Sequence, residues 1–149
     1  MIAKDIKGLL TLHEGRVPHA YQDSLGYLTI GIGHLIDQRK GGRLPDHIID
    51  ALFEYDLWEH TRALSAAIPW VGQLDAVRHA VLVDMTFNLG PEPFDGDGFK
   101  DWPIFVGQVR SGQYEAAAAN MLSTLWAKQV GERAVRLAEM MRTGLWPEK

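Results

Sequence analysis

The feature that most constrains the fold is a change in hydrophobic spacing near the start of the chain. Up to Glu14 the apolar residues follow helical spacing, and from Tyr21 to His34 they alternate with a period of two. Gly15 suits the position just past a helix end, and Pro18 prevents that helix from continuing. The alternation around a Ser-Leu-Gly turn predicts two short strands that form a hairpin.

The rest of the chain has a mostly helical pattern. Asp46 is predicted to be the N-cap of a long amphipathic helix that ends before Pro69, and Asp75 is predicted to cap a helix that is apolar nearly all round. Shorter helices are predicted around residues 104–110, 114–125 and 132–141. The expected order is therefore a helix, a small sheet, a long connecting helix and a helical bundle.

Composition bounds the class of protein. The 149 residues are 46% hydrophobic, enough for one compact domain or for two small lobes that share a core. A net charge of −4 argues against general nucleic-acid binding, and the absence of cysteine excludes disulfides and thiol catalysis. Charges interrupt the first apolar residues and no apolar run is long enough to span a bilayer, so neither a signal peptide nor a membrane anchor is expected.

Three side chains form the candidate catalytic group. Glu14, Asp23 and Thr29 follow the order Glu-x8-Asp-x5-Thr across the predicted helix end and hairpin. Enzymes that hydrolyse glycosidic bonds typically use two carboxylates that lie close together. One could protonate a leaving oxygen, while the other and the hydroxyl hold a water, as in an inverting hydrolysis. Each residue also has an ordinary explanation: a solvated Glu at a helix end, a turn-forming Asp and a strand Thr.

The remaining polar candidates have structural interpretations. His34 and Asp56 are expected to form an ion pair between the sheet and the long helix. No pair of histidines has the spacing of metal ligands, and Asp95–Gly98 lacks the Glu of a calcium loop, so we expect a surface turn there. Neither a metal nor a cofactor is predicted.

The tryptophans are expected to play two different parts. Trp70, Trp126 and Trp146 are predicted to pack in the core or within a lobe. Trp102 stands beside a loop rich in Gly, Asp and Pro, and its ring could be exposed. An exposed indole in that place would be able to contact a ligand.

The sequence resembles the phage-type lysozymes, an endolysin family. Three ordered blocks carry the resemblance: residues 13–15 with 26–35, residues 74–90, and residues 126–146. It implies an α+β, lysozyme-like, two-lobed fold. The implied parts are a small lobe with a β-hairpin or three-stranded sheet at about 15–45, a connecting helix at about 46–68, and a helical lobe at about 69–149 that includes the N-terminal helix 2–14.

The resemblance also implies roles for individual residues. The family hydrolyses the β-1,4 bond between N-acetylmuramic acid and N-acetylglucosamine in peptidoglycan. Glu14 matches its general acid, and Asp23 and Thr29 match the residues that position the attacking water. Arg133 matches the arginine that pairs with the catalytic Glu. The family's sugar-contacting positions fall on Leu35, Phe87, Trp102 and Asn120.

Three features depart from the family pattern. The segment from Ile36 to Pro45 is shorter than in the type member, which implies a trimmed small lobe. Trp102 stands where the type member has a polar cleft residue, and it could stack on a sugar or simply close the lobe. The net charge of this chain is negative, whereas basic residues predominate in the type member.

The expected function is that of a phage endolysin. As a monomer without a stable membrane association, it would accumulate in the host cytoplasm until a holin lets it reach the cell wall. The alternative is a non-catalytic peptidoglycan-binding or phage-tail structural component that retains the lysozyme fold. A third reading is a related lysozyme that acts on chitin-like polymers.

Overall fold

The computed structural model describes residues 6–37, 43–90 and 102–148. The chain divides into two compact units, Met1–Leu52 and Phe53–Lys149, and each is described by itself. Within the described ranges, no helix combines the length and the apolar character needed to cross a membrane.

The first unit begins with a helix and a three-stranded antiparallel sheet. Its elements are α1 (Ile6–Glu14), β1 (Val17–Gln22), β2 (Leu28–Gly31) and β3 (His34–Asp37), and the strand order is β1-β2-β3. Gly15 follows α1 with φ +74°, and its N–H donates to Thr11 O at 2.9 Å. The predicted helix end at Glu14 and the predicted hairpin are therefore confirmed.

The alternation predicted through His34 stops early. β2 ends at Gly31, and a turn at Ile32 and Gly33 leads into β3. The strand predicted to continue to His34 is interrupted, because Gly31, the last residue of β2, and Gly33 adopt φ angles of +70° and +68°, outside the extended region. The turn adds a third strand, in which Leu35 lies opposite Thr29.

Helices form the rest of the described chain. They are α2 (Asp46–Ala67), α3 (Ala76–Leu89), α4 (Trp102–Arg110), α5 (Tyr114–Leu122), α6 (Leu125–Val130) and α7 (Glu132–Thr143), with a short 3₁₀ turn at Val71–Gln73. The boundary between the units, after Leu52, lies within α2. Seven helices and one small antiparallel sheet among the described residues confirm the α+β class.

Helix boundaries follow local capping chemistry. Asp75 caps α3 as predicted, because its Oδ1 accepts from Arg78 N at 3.0 Å. Asp46 is instead the first residue of α2, since Pro45 O already accepts from Ile49 N at 3.1 Å. The helix predicted over 114–125 ends earlier, at Leu122, and Leu125 begins α6, because the Thr124 hydroxyl caps this new helix by accepting from Ala127 N at 3.2 Å.

The hydrophobic core lies in the second unit. α3 contributes four hydrophobic residues to it, and α5 packs against both α4 and α7. At the edge of the core, Trp126 Nε1 donates to Oδ1 of the exposed Asn88 at 2.8 Å. In the first unit, by contrast, Thr29 is the one buried residue among the described side chains, and it is polar.

Candidate active site

Glu14 lies directly against the turn between β2 and β3. A Cβ placed on Gly33 would be 2.8 Å from Glu14 Oε2 and 2.9 Å from its Cδ, closer than a real Cβ can approach. In the structure the group against Gly33 is the Glu14 carboxyl itself, so helix end and sheet turn meet at one carboxylate.

Asp23 is fixed by the hairpin turn. Its Oδ1 accepts from Leu25 N and from Tyr27 N, both at 2.9 Å. Its own N–H donates to Tyr27 O at 2.8 Å. An Asp that accepts from backbone amides two and four residues ahead holds a turn rigid. One carboxylate oxygen is therefore committed to the turn.

Thr29 is joined to the same turn through Tyr27. Its Oγ1 donates to Tyr27 O at 3.3 Å, the carbonyl that also accepts from Asp23 N. The side chain is only 5% exposed, so it lies deeper than a hydroxyl on an open strand face. Asp23 and Thr29, which sequence reasoning placed across one turn, are thus coupled through a single backbone carbonyl.

Two predicted residues share a groove in the second unit. Phe87 and Arg133 both line a groove of about 540 Å³, and Phe87 is 37% exposed. Arg133 forms an ion pair with Asp84: its Nε donates to Asp84 Oδ1 at 2.8 Å and its Nη2 lies 2.7 Å from the same oxygen. Asp84 was not singled out from the sequence. The available signal was that it is the one carboxylate within α3.

The tryptophans differ from prediction in two places. Trp102 is 2% exposed, and its ring packs edge-on against Phe105 at 5.4 Å and Trp126 at 6.1 Å. Its expected exposure is wrong, because α4 starts at this residue and turns the indole into an aromatic cluster. This position favours the lobe-closing alternative over sugar stacking. Trp126 is buried as predicted, whereas Trp146 is 61% exposed rather than packed.

Other predicted site residues have separate local environments. Leu35 is 38% exposed on β3. Asn120 is partly buried on α5 and its Nδ2 donates to Gln108 Oε1 at 3.2 Å. His34 is exposed in the first unit and Asp56 is partly buried in the second, so their ion pair stays a prediction, as does the pairing of Arg133 with Glu14. The predicted turn at Asp95–Gly98 and part of the shortened segment from Ile36 to Pro45 lie outside the described residues.

Comparison with known proteins identifies the family of this chain. The sequence model of the phage lysozyme family matches residues 11–142, a range that includes all three candidate catalytic residues. The chain is also 24% identical to the protein "Probable T4-type lysozyme 1" of Dictyostelium discoideum, in an alignment 170 positions long that covers 96% of this chain and 96% of that protein. A match over most of the length, with the helix, hairpin and helical core in the expected order, makes this chain a member of the phage lysozyme family, a family of lysozyme-type glycoside hydrolases.

Proposed function

We propose that this chain is a muramidase that hydrolyses the β-1,4 bond between N-acetylmuramic acid and N-acetylglucosamine in bacterial peptidoglycan. The observation that carries the proposal is the meeting of the Glu14 carboxyl with Gly33, in the unit whose hairpin fixes Asp23. Two carboxylates on neighbouring elements suit a reaction that protonates one oxygen and deprotonates another. The family match supports the same chemistry.

Glu14 is the proposed general acid. It is exposed at the end of α1, and contact with Gly33 limits the positions that its carboxyl can take. In its protonated form it donates its proton to the glycosidic oxygen as the bond from that oxygen to the anomeric carbon breaks. The leaving sugar therefore departs as a neutral alcohol instead of an alkoxide.

Asp23 and Thr29 are proposed to hold the attacking water. The turn uses Asp23 Oδ1, so Oδ2 is the oxygen that would accept a proton from water. The Thr29 hydroxyl donates a hydrogen bond to Tyr27 O. The lone pairs of Thr29 Oγ1 therefore remain able to accept a hydrogen bond from the same water. The water oxygen bonds to the anomeric carbon on the face opposite the leaving group, which inverts the configuration.

Identifying the new reducing end tests the choice of bond. Purified peptidoglycan is digested, reduced with borohydride and analysed by mass spectrometry. Cleavage by a muramidase leaves N-acetylmuramic acid at each new reducing end, and borohydride reduces that residue to its alditol. Reduced N-acetylglucosamine at the new ends would contradict the proposal, and intact glycan strands would indicate a non-catalytic wall-binding protein.

We also propose that the biological role is lysis of the host cell at the end of a phage cycle, by a monomer whose access to the wall depends on a holin. Leu35, Phe87 and Asn120 are the proposed sugar contacts, and the first two present exposed apolar surface. Expression in a bacterial cytoplasm with and without a pore-forming partner tests the role: lysis is expected only with the pore.

Gly31, the last residue of β2, and Gly33, in the turn that follows, give a matched test of the Glu14 position. Gly31 and Gly33 have nearly equal φ angles, +70° and +68°, so an alanine at either position costs about 1–2 kcal/mol of backbone strain. Only the methyl of Gly33→Ala meets the Glu14 carboxyl, since nothing lies within 4 Å of a Cβ at Gly31. We expect similar losses of thermal stability, and a further loss of hydrolysis by about 10²-fold for Gly33→Ala alone.

Rates of reducing-end release are compared below the unfolding temperature of both variants. Equal activities of Gly31→Ala and Gly33→Ala would contradict the idea that contact with Gly33 orients the acid.

A further inference from the structure

Two side-chain amides meet between α4 and α5. These helices pack against each other, and the Nδ2 of Asn120 on α5 donates to the Oε1 of Gln108 on α4 at 3.2 Å. Both side chains are partly buried. Asn120 is one of the sugar contacts proposed above, whereas Gln108 has no role in the reaction as described so far. We call the two residues the Gln108–Asn120 amide pair.

The hydrogen bond uses only part of the bonding capacity of the Gln108–Asn120 amide pair. It engages the oxygen of Gln108 and one hydrogen of the Asn120 nitrogen, so Asn120 Oδ1 and Gln108 Nε2 remain able to bond. Neither of these two atoms has a hydrogen-bond partner among the described residues. Every buried side-chain nitrogen and oxygen in the described part of the chain has such a partner, so both atoms are open to solvent.

The two open atoms are one acceptor and one donor. A half-turn of both amide groups exchanges them but still leaves one acceptor and one donor open, so the pair keeps this character in either arrangement. An acetamido group carries the complementary set, an N–H donor and a C=O acceptor, together with an apolar methyl group. Ile104, which lies one helical turn before Gln108 on α4, is 59% exposed and provides apolar surface beside the amides.

We propose that the Gln108–Asn120 amide pair recognises an acetamido group of the glycan strand, with Gln108 as a specificity-determining residue. The proposal rests on the proposed function, since both sugars of peptidoglycan carry this group. Gln108 Nε2 donates to the acetyl oxygen, and Asn120 Oδ1 accepts from the acetamido N–H. A sugar with a free amine in the same place has no acetyl oxygen and leaves the Gln108 donor unpaired. A site that hydrogen-bonds a substrate group discriminates against a substrate that lacks it.

Hydrolysis of two wall preparations tests the proposal. Purified sacculi are used intact or after enzymatic removal of the acetyl groups from both sugars, and the ratio of the two rates of reducing-end release is measured. Gln108→Met keeps the length of the side chain but removes its donor, and it is expected to lower this ratio roughly tenfold, a factor that corresponds to about 1.4 kcal/mol. Stem peptides are the same in both preparations, so an amide pair that bound a peptide group instead would give the same ratio with and without Gln108.

Gln108→Glu separates recognition of the ligand from packing of the helices. One carboxylate oxygen still accepts from Asn120 Nδ2, so the contact between α4 and α5 is retained. The carboxylate has no donor for an acetyl oxygen and attracts the ammonium group of a de-N-acetylated sugar, so the ratio should fall below that of Gln108→Met. Gln113→Met is the matched control, because that side chain is exposed and makes no capping hydrogen bond at the start of α5. It should keep the ratio of the unsubstituted protein.

Three results would overturn the proposal. They are equal rates on the two preparations for the unsubstituted protein, an unchanged ratio in both Gln108 variants, and an equal change of the ratio in Gln113→Met. A loss of both rates by the same factor, together with a lower unfolding temperature, would show that the pair only joins α4 to α5. Failure of the proposed function would show itself separately, as no reducing ends released from either preparation by the unsubstituted protein. Pelleting with the same two preparations would then give the ratio as one of affinities.

Discussion

Glu14→Gln is expected to lower the rate of peptidoglycan hydrolysis by about 10²–10⁴-fold, the contribution typical of a general acid. Glutamine fills the same space beside Gly33, so the contact between α1 and the β2–β3 turn is retained. It has no proton to give to the leaving oxygen at neutral pH. The release of reducing ends from purified walls, measured on folded protein, gives the ratio of rates.

Glu54→Gln is the control for this substitution. Glu54 is an exposed carboxylate on α2 and has no part in the proposed reaction. Its replacement therefore removes the same charge without removing a catalytic group. It should leave both the rate and the unfolding temperature unchanged. Retention of more than about a tenth of the activity by Glu14→Gln would contradict the assignment of this residue as the general acid.

The second large effect is expected at Asp23, where two substitutions separate the structural role of the side chain in the turn from its proposed role as the base. Asn keeps an oxygen that can accept from Leu25 N and Tyr27 N, but it loses the charge that takes a proton from water. Asp23→Asn is therefore expected to fold with near-normal stability and to lose about 10²-fold or more in rate. Asp23→Ala should show the same loss of rate together with a lower unfolding temperature, because two turn hydrogen bonds of about 0.5–1.5 kcal/mol each disappear.

Urea unfolding and hydrolysis rates of the two variants, measured side by side, provide the comparison. If Asp23→Asn kept nearly full activity while Asp23→Ala lost it, Asp23 would be a turn former alone. The attacking water would then need another partner in the hairpin.

Features set by neighbouring residues could be predicted from the sequence. Gly15 marks the end of α1 because a left-handed residue there closes the last turn, and the φ of +74° agrees. Asp75 caps α3 because its carboxylate reaches an amide three residues ahead. The hairpin around Asp23 follows from turn chemistry and alternation in the same way. These local signals positioned all three candidate catalytic residues on their elements.

Features that depend on distant residues could not be predicted in this way. Burial of Trp102 requires Phe105 and Trp126 to meet it, and sequence spacing does not reveal that cluster. The partner of Arg133 in the structure is Asp84, 49 residues away. The turn at Ile32 and Gly33 was not predicted for a different reason. The apolar alternation continues through Ile32, although the positive φ angles of Gly31 and Gly33 end the extended backbone there.

The configuration of the freshly formed product tests the central claim most directly. If Glu14 protonates the leaving oxygen while Asp23 and Thr29 hold a water on the opposite face, the β bond yields the α-anomer first. Proton NMR of a soluble peptidoglycan fragment, recorded early enough to precede mutarotation, distinguishes the two anomers. The account predicts an initial excess of the α-anomer. An initial excess of the β-anomer would contradict it, because retention requires a covalent or substrate-assisted intermediate in place of direct attack by water.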